Sequence, residues 1–275
     1  MADDWGEDAT RRAKAALINT RVPNAARVID FLYGGHNNFE ADRKAARILG
    51  ATAPGIAAIP PAVRGFQQRV LRFLVVEAGI RQFLDIGMGL PLVGATHEVA
   101  QSLAPECRVA YVDNDPMVLS HARAMMTSAP GGAIGFVDAD VRDAASIVAG
   151  AGATLDFSLP VAVLLLFTLS YVEDVAEAAA VVPALMAAVP SGSYAAGYHL
   201  ASDVDPALEE AARQWNKMMP SQSITLRSRV EILGLMAGLV PVPPGLTPVD
   251  EWRPAPDDPV SEYRIPVHGI VARRP

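Results

Sequence analysis

Apolar residues in this chain follow two alternating patterns, short continuous runs and longer stretches in which they recur at helical spacing. The continuous runs predict buried strands, which we place at residues 83–86, 108–113, 135–143, 161–167, 193–200 and 263–272. The periodic stretches predict helices over residues 24–34, 40–49, 62–79, 97–103, 116–126, 175–189, 206–219 and 228–239. Strands and helices that alternate in this way are typical of an α/β protein with a doubly wound, mostly parallel sheet.

Two of the predicted strands have distinct places in that sheet. Residues 161–167 form the most continuous apolar run, which predicts the central strand, because a middle strand is covered on both faces. Residues 263–272 are not followed by a crossover helix, so we expect them to add in the antiparallel direction. Residues 1–20 mix charged residues with alanine and predict only a loose arm or a first helix.

Charge and hydropathy exclude several classes of function. The formal net charge of −7 argues against a general affinity for nucleic acid, which depends on lysine and arginine neutralising phosphates. The first residues are acidic and polar, unlike a signal peptide, and the longest strongly apolar run is about half the length of a membrane-spanning helix. We therefore expect a soluble, cytoplasmic protein that acts without nucleic acid or membrane.

The few cysteines and histidines also limit the chemistry. Cys107 is the only cysteine, so no internal disulfide forms and a structural thiol is the simplest interpretation. The five histidines are not spaced with cysteines or carboxylates as zinc ligands are, and we predict no metal.

The most informative segment is the end of the first predicted strand, where Asp85 is followed by Gly87 and Gly89. The glycines allow a sharp turn beside a bound ligand. Asp113 ends the second predicted strand, 28 positions after Asp85, where an acidic side chain in a βαβ unit can accept both hydroxyls of a ribose. The two strands therefore predict a nucleoside site.

A nicotinamide dehydrogenase is the obvious alternative, but its pyrophosphate site is missing. The turn lacks the third glycine, and Pro91 removes one of the amide donors that a pyrophosphate needs. A carboxylate two residues before the first glycine instead suits a ligand with an amino-acid end, whose ammonium Asp85 can attract.

At this point the sequence resembles class I S-adenosylmethionine-dependent methyltransferases, and more narrowly a bacterial family known as S-adenosyl methyltransferase. The resemblance extends over nearly the whole chain and is carried by the motifs at residues 33–43 (Tyr-Gly-Gly-His-Asn-Asn-Phe-Glu-Ala-Asp-Arg), 79–91, 97–101, 111–116, 140–143 and 252–254. It implies a Rossmann-like sheet of seven strands with the last-entering strand antiparallel. It also implies a helical cap over residues 1–78, before a methyltransferase domain over residues 79–275.

The resemblance further assigns the cofactor contacts. Asp85, Gly87 and Gly89 would bind the methionine part of S-adenosylmethionine, Asp113 with its neighbour Asn114 the ribose, and Asp140 with Val141 the adenine edge. Asp138 competes with Asp140 for the adenine contact. The chain departs from the expected pattern at His36-Asn37-Asn38, at Ala95, where an asparagine is expected, and at Ser170-Tyr171-Val172.

The predicted function is transfer of the sulfonium methyl group to an oxygen, nitrogen or carbon of a small molecule. His36, His199 or Tyr33 would supply a base if the nucleophile carries a proton. Tyr33 and Tyr171 either face the sulfonium with their rings or pack in the core. Trp252 either closes the cleft or anchors its loop. A non-catalytic module or sensor that binds the same cofactor is the second hypothesis.

Overall fold

One sheet of eight strands organises the described part of the chain, which in this computed structural model comprises residues 19–256, 258 and 262–275. The strands are β1 (Gln82–Ile86), β2 (Arg108–Asp113), β3 (Ala133–Asp138), β4 (Ala162–Leu166), β5 (Tyr194–Leu200), β6 (Val240–Pro241), β7 (Thr247–Pro248) and β8 (Val267–Arg273). The arm or first helix predicted for residues 1–20 lies, up to residue 18, outside the described residues.

The sheet has the order β3-β2-β1-β4-β5-β8-β6, and β7 also pairs with β8. The first five strands are parallel, and β8 enters antiparallel beside β5. The predicted α/β sheet, its central strand β4 and its antiparallel last strand are therefore confirmed. The count of seven strands is not, because β6 and β7 add two pairings of two residues each from a proline-rich passage with no strand periodicity.

Helices cover both faces of the sheet and precede its first strand. They are α1 (Ala25–Leu32), α2 (Glu40–Thr52), α3 (Ile59–Arg72), α4 (Thr96–Leu103), α5 (Pro116–Met125), α6 (Ala144–Ala151), α7 (Val175–Ala187), α8 (Pro206–Met218) and α9 (Arg229–Gly234). Helix α6 was not predicted, because its small apolar residues run all round the helix and show no polar face. The strand predicted to end at residue 143 ends at Asp138, and Asp143 instead caps α6 by accepting from the Ser146 amide.

Helices α1 to α3 pack on the sheet through a shared core. The Phe66 ring of α3 lies edge-on to the rings of Tyr198 in β5 and Trp252, with centroids 6.3 and 5.7 Å apart. Trp252 is fully buried and lies outside the cleft described below, so it anchors its loop. The boundary between residues 78 and 79 stays a prediction.

A buried carboxylate holds the start of this helical region together. Asp42 accepts hydrogen bonds from the Asn24 amide at 3.0 Å, the Phe39 amide at 2.8 Å and the Arg27 guanidinium at 2.9 Å. Both charged side chains are at most 4% exposed. The Asn24 side chain in turn donates to Asp115 at 3.1 Å, which ties α1 to the end of β2.

Asp42→Asn should therefore lower the free energy of unfolding by about 2 kcal/mol, because Arg27 loses its counterion while keeping the carbonyls of Asn19 and Val22 as acceptors. Urea unfolding measures this change. Glu40→Gln is the matched control in the same helix: its carboxylate is 68% exposed beside Arg43 and Arg47, so the loss should stay within about 0.5 kcal/mol. Equal losses in the two variants would contradict this account of Asp42.

Candidate functional site

A cleft of about 940 Å³ opens at the carboxyl ends of β1, β2 and β4 and continues beneath α1 and α3. Ligands of doubly wound sheets bind at this edge. The volume is near the upper end of the range of about 300–1,000 Å³ found for small-molecule sites, which leaves room for two small ligands side by side.

The turn after β1 forms the floor of the cleft. Gly87 and Gly89 have φ angles of 77° and 63°, a left-handed conformation that favours glycine. The Gly87 amide donates to the carbonyl of Val112, and the Gly89 amide donates to Asp113. Thr168 lies directly over Gly87 and donates its hydroxyl to the Ile86 carbonyl.

Gly87→Ala should destabilise the protein by about 2 kcal/mol. A Cβ at this position would come within 2.3 Å of the Thr168 hydroxyl, and the left-handed backbone adds strain. Gly79→Ala separates the two effects, because Gly79 has a φ of 71° with nothing within 4 Å of the added Cβ. Thermal unfolding should show a loss of about 1 kcal/mol for Gly79→Ala, from the backbone alone.

Asp85 lies at the end of β1 and is 5% exposed. Its carboxylate accepts a hydrogen bond of 2.6 Å from the Thr96 hydroxyl, which in turn accepts one of 3.2 Å from the Gln67 side chain. Burial raises the pKa of Asp85 to about 6, although the Thr96 hydrogen bond acts in the opposite direction. Burial therefore destabilises the ionised form of this carboxylate, and a bound cation would stabilise it.

Asp113 ends β2 on the other side of the turn. One carboxylate oxygen accepts from the Gly89 amide at 3.1 Å, and the other accepts from the Asp115 amide at 2.9 Å. Burial raises the pKa of Asp113 to about 6 as well. Each oxygen keeps a lone pair for a further donor, so the carboxylate can still accept two ligand hydroxyls.

Asp140 and Val141 line the cleft beyond Asn114, whereas Asp138 is exposed and does not line it. Asp140 accepts two hydrogen bonds of 2.7 Å from the Arg142 guanidinium and one of 3.2 Å from Asn114. Arg142 lowers the pKa of Asp140 to about 2. The carboxylate predicted to contact adenine is therefore already well paired.

The three predicted bases have different surroundings. Tyr33 lines the cleft, whereas His36 is exposed and does not line it. His199 is 2% exposed on the opposite face of β5, where it accepts from Arg227 at 2.8 Å, and burial lowers its pKa to about 4. Burial raises the pKa of Tyr33, so its hydroxyl stays protonated at neutral pH. Neither histidine is brought to the cleft.

Several residues that the sequence analysis did not single out complete the site. Phe167, directly after β4, lines the cleft with a φ of 77°, which a bulky side chain rarely adopts and which often marks a functional position. Thr96 and Thr168 support Asp85 and Gly87. The sequence offered no signal for either threonine, because each contact joins segments that are distant in the chain.

The carboxylates and the turn fit S-adenosylmethionine. Asp85 offers a buried negative charge for an ammonium, and Asp113 offers free acceptor capacity for a ribose. The space above Gly89 is open, since a Cβ there would meet nothing within 4 Å. Within the described residues, no group of three or more side chains is arranged to hold a metal, and no helix is long and apolar enough to cross a membrane.

Comparisons with known proteins identify a family and its fold. The family model for S-adenosyl methyltransferase matches residues 11–275. A DUF574 family protein from Streptomyces avermitilis is 35% identical over 94% of this chain and 100% of its own, with a TM-score of 0.89. A protein from Thermobifida fusca is 37% identical over 93% of this chain and 96% of its own, with a TM-score of 0.84.

A more distant structure shares the fold. An O-methyltransferase family protein from Burkholderia thailandensis is 17% identical over 99% of this chain and 68% of its own, with a TM-score of 0.53. No curated protein matches the sequence.

Proposed function

Because the chain belongs to the S-adenosyl methyltransferase family, whose cofactor is S-adenosylmethionine, we propose that it methylates a small molecule held beneath α1 and α3. The observation that carries this proposal is one continuous cleft. In this cleft Asp85 and Asp113 flank a glycine turn, and the lining contributed by α1 and α3 is largely apolar and aromatic.

The residues at the strand ends would hold the cofactor. We assign Asp85 to its ammonium, Gly87 and Gly89 to the methionine chain, and Asp113 with Asn114 to the ribose. Val141 would pack on the adenine, with Asp140 beside it. When bound, the cofactor supplies a positively charged sulfonium that makes its methyl group electrophilic.

The chain's own residues would act by placement and exclusion of water. Methyl transfer needs the nucleophile in line with the methyl group, and binding two molecules in one cleft supplies that alignment. Tyr33 would orient the acceptor by donating a hydrogen bond, because its raised pKa keeps the proton on the hydroxyl. We assign no role to His36 or His199, because neither lines the cleft. We therefore favour an acceptor whose nucleophilic atom reacts without a histidine base.

Two measurements test the proposal. S-adenosylmethionine in excess should raise the melting temperature, because a ligand of the folded state stabilises it by mass action. Release of S-adenosylhomocysteine in the presence of a panel of small aromatic acids, phenols and amines should then show turnover. No shift in melting temperature would contradict the proposal, and tight binding without turnover on any acceptor would favour the non-catalytic module.

A further inference from the structure

The part of the cleft beneath α1 and α3 is built mainly of rings and aliphatic side chains. We call it the acceptor chamber and define it by Ile29, Tyr33, Phe167, Tyr171, Tyr198 and Trp215. The Phe167 ring lies edge-on to Tyr171 at 5.4 Å and stacks with Tyr198 at 6.4 Å between centroids. Such walls favour a flat, apolar body.

One arginine borders this chamber with no counterion among the described residues. Arg64 of α3 lines the cleft, is half-buried, and lies with its guanidinium carbon 5.2 Å from the centre of the Tyr33 ring. In the described part of the chain it has neither an ion pair nor a hydrogen bond. Arg142, the other arginine of the cleft, is paired with Asp140.

Four of the other five arginines of α1 to α3 show the contrast, the exception being the exposed Arg72. Arg27, Arg43, Arg47 and Arg69 each pair with a carboxylate at 2.6–3.1 Å. The chain has a net charge of −7, so carboxylates are plentiful, yet none of the described ones lies within 4.0 Å of the Arg64 guanidinium. A guanidinium partly withdrawn from water, with five donors in a planar fork, suits a bound anion.

We propose that the methyl acceptor is a small planar aromatic molecule with one anionic group, which Arg64 binds while the ring packs in the acceptor chamber. This inference rests on the proposed function. It places the anion at the α3 side of the cleft and leaves the acceptor atom free to face the cofactor from the ring.

The test compares carboxylates with uncharged analogues on the protein saturated with S-adenosylhomocysteine. Calorimetry should show that 4-hydroxyphenylacetate and indole-3-acetate bind at least about tenfold more tightly than their primary amides, as expected for one charge-assisted contact. Arg64→Gln should abolish that preference, and Arg64→Lys should retain part of it. Arg72→Gln is the control, because Arg72 is exposed on the same helix and does not line the cleft.

Each outcome decides between the hypotheses. Equal binding of acids and amides, no binding of either at millimolar concentration, or a preference that survives Arg64→Gln would overturn the inference. S-adenosylhomocysteine affinity, measured first, should be the same in wild type and all three variants. If the wild type binds it but shows no preference for acids, only this inference fails. If the wild type does not bind it, the proposed function fails as well.

Discussion

Asp113→Ala should abolish the rise in melting temperature that S-adenosylmethionine produces in the wild-type protein. The proposed loss comprises two hydrogen bonds from ribose hydroxyls to a carboxylate, at about 1.5 kcal/mol or more each, which corresponds to at least about hundredfold in affinity. The Gly89 amide also loses its acceptor, so the turn becomes less well ordered for the methionine chain. Calorimetry and thermal unfolding at a fixed cofactor concentration measure the two effects.

Asp138→Asn is the matched control for that experiment. Asp138 is paired in register with Asp113 on the neighbouring strand, yet it is exposed and does not line the cleft. Its replacement should leave cofactor affinity unchanged. Wild-type affinity in Asp113→Ala, or a similar loss in both variants, would refute the assignment of the ribose to Asp113.

The order of strands and helices was predictable because each depends on local periodicity. The run at β4 is apolar at every position, and a strand of this kind belongs in the middle of a covered parallel sheet. The two short strands β6 and β7 were not predictable, because two residues show no period and each pair includes a proline. Both strands form only because they pair with the edge of β8 that faces away from β5.

The placement of the two carboxylates that we assign to the cofactor was also predictable from the sequence, because both lie where a predicted strand ends. Asp85 is next to last in β1 and Asp113 is last in the neighbouring parallel strand β2, so the sheet brings them to the same edge. Asp140 shows the limit of that argument. Its position was predicted, but its pairing with Arg142 depends on a turn that sequence reasoning had assigned to the strand.

The two candidate histidines fail to reach the cleft for reasons that only packing reveals, whereas Tyr33 lines it. His199 and Tyr198 are adjacent on β5 and therefore point to opposite faces, and both faces are covered, so the sequence did not indicate which residue lines the cleft. Tyr198 does. Which side chains of β5 line the cleft therefore depends on which face of the strand lies towards α1 to α3.

The polar segment after α1 has a structural explanation. Buried Asp30 accepts from the Asn37 amide at 2.9 Å and the Asn38 side chain at 2.8 Å. A Cβ on Gly35 would lie 2.1 Å from the other Asp30 oxygen, so only glycine fits there. This closed turn leaves His36 exposed, although His36 had been predicted as a possible base.

Asp85 combines a proposed function with a cost to stability. Its pKa of about 6 in the folded protein exceeds the ordinary value of 3.8, so the folded state retains a proton that the unfolded chain has already lost. Stability from this group is fully present below pH 4 and is lost as pH rises through about 6. At neutral pH the cofactor-free protein therefore carries a buried, ionised carboxylate that a bound cation would stabilise.

Asp85→Asn should accordingly have opposite effects on binding and stability. Affinity for S-adenosylmethionine should fall about hundredfold, because the ammonium loses a charge-assisted contact in a buried site. The cofactor-free variant should be more stable than wild type by about 3 kcal/mol at pH 7.5, since each pKa unit corresponds to about 1.4 kcal/mol. The Thr96 hydroxyl keeps an acceptor in the asparagine oxygen, so the local hydrogen bond survives.

The decisive measurement is urea unfolding of the cofactor-free proteins at pH 4.5 and pH 7.5, together with calorimetry at pH 7.5. The gain in stability should be large at pH 7.5 and small at pH 4.5, where wild-type Asp85 is protonated and resembles the amide. Asp138→Asn, on an exposed strand end, should show no such pH-dependent gain. A variant that is no more stable than wild type at pH 7.5 would show that Asp85 is already compensated by the protein, and its carboxylate would then have no unmet charge to offer an ammonium.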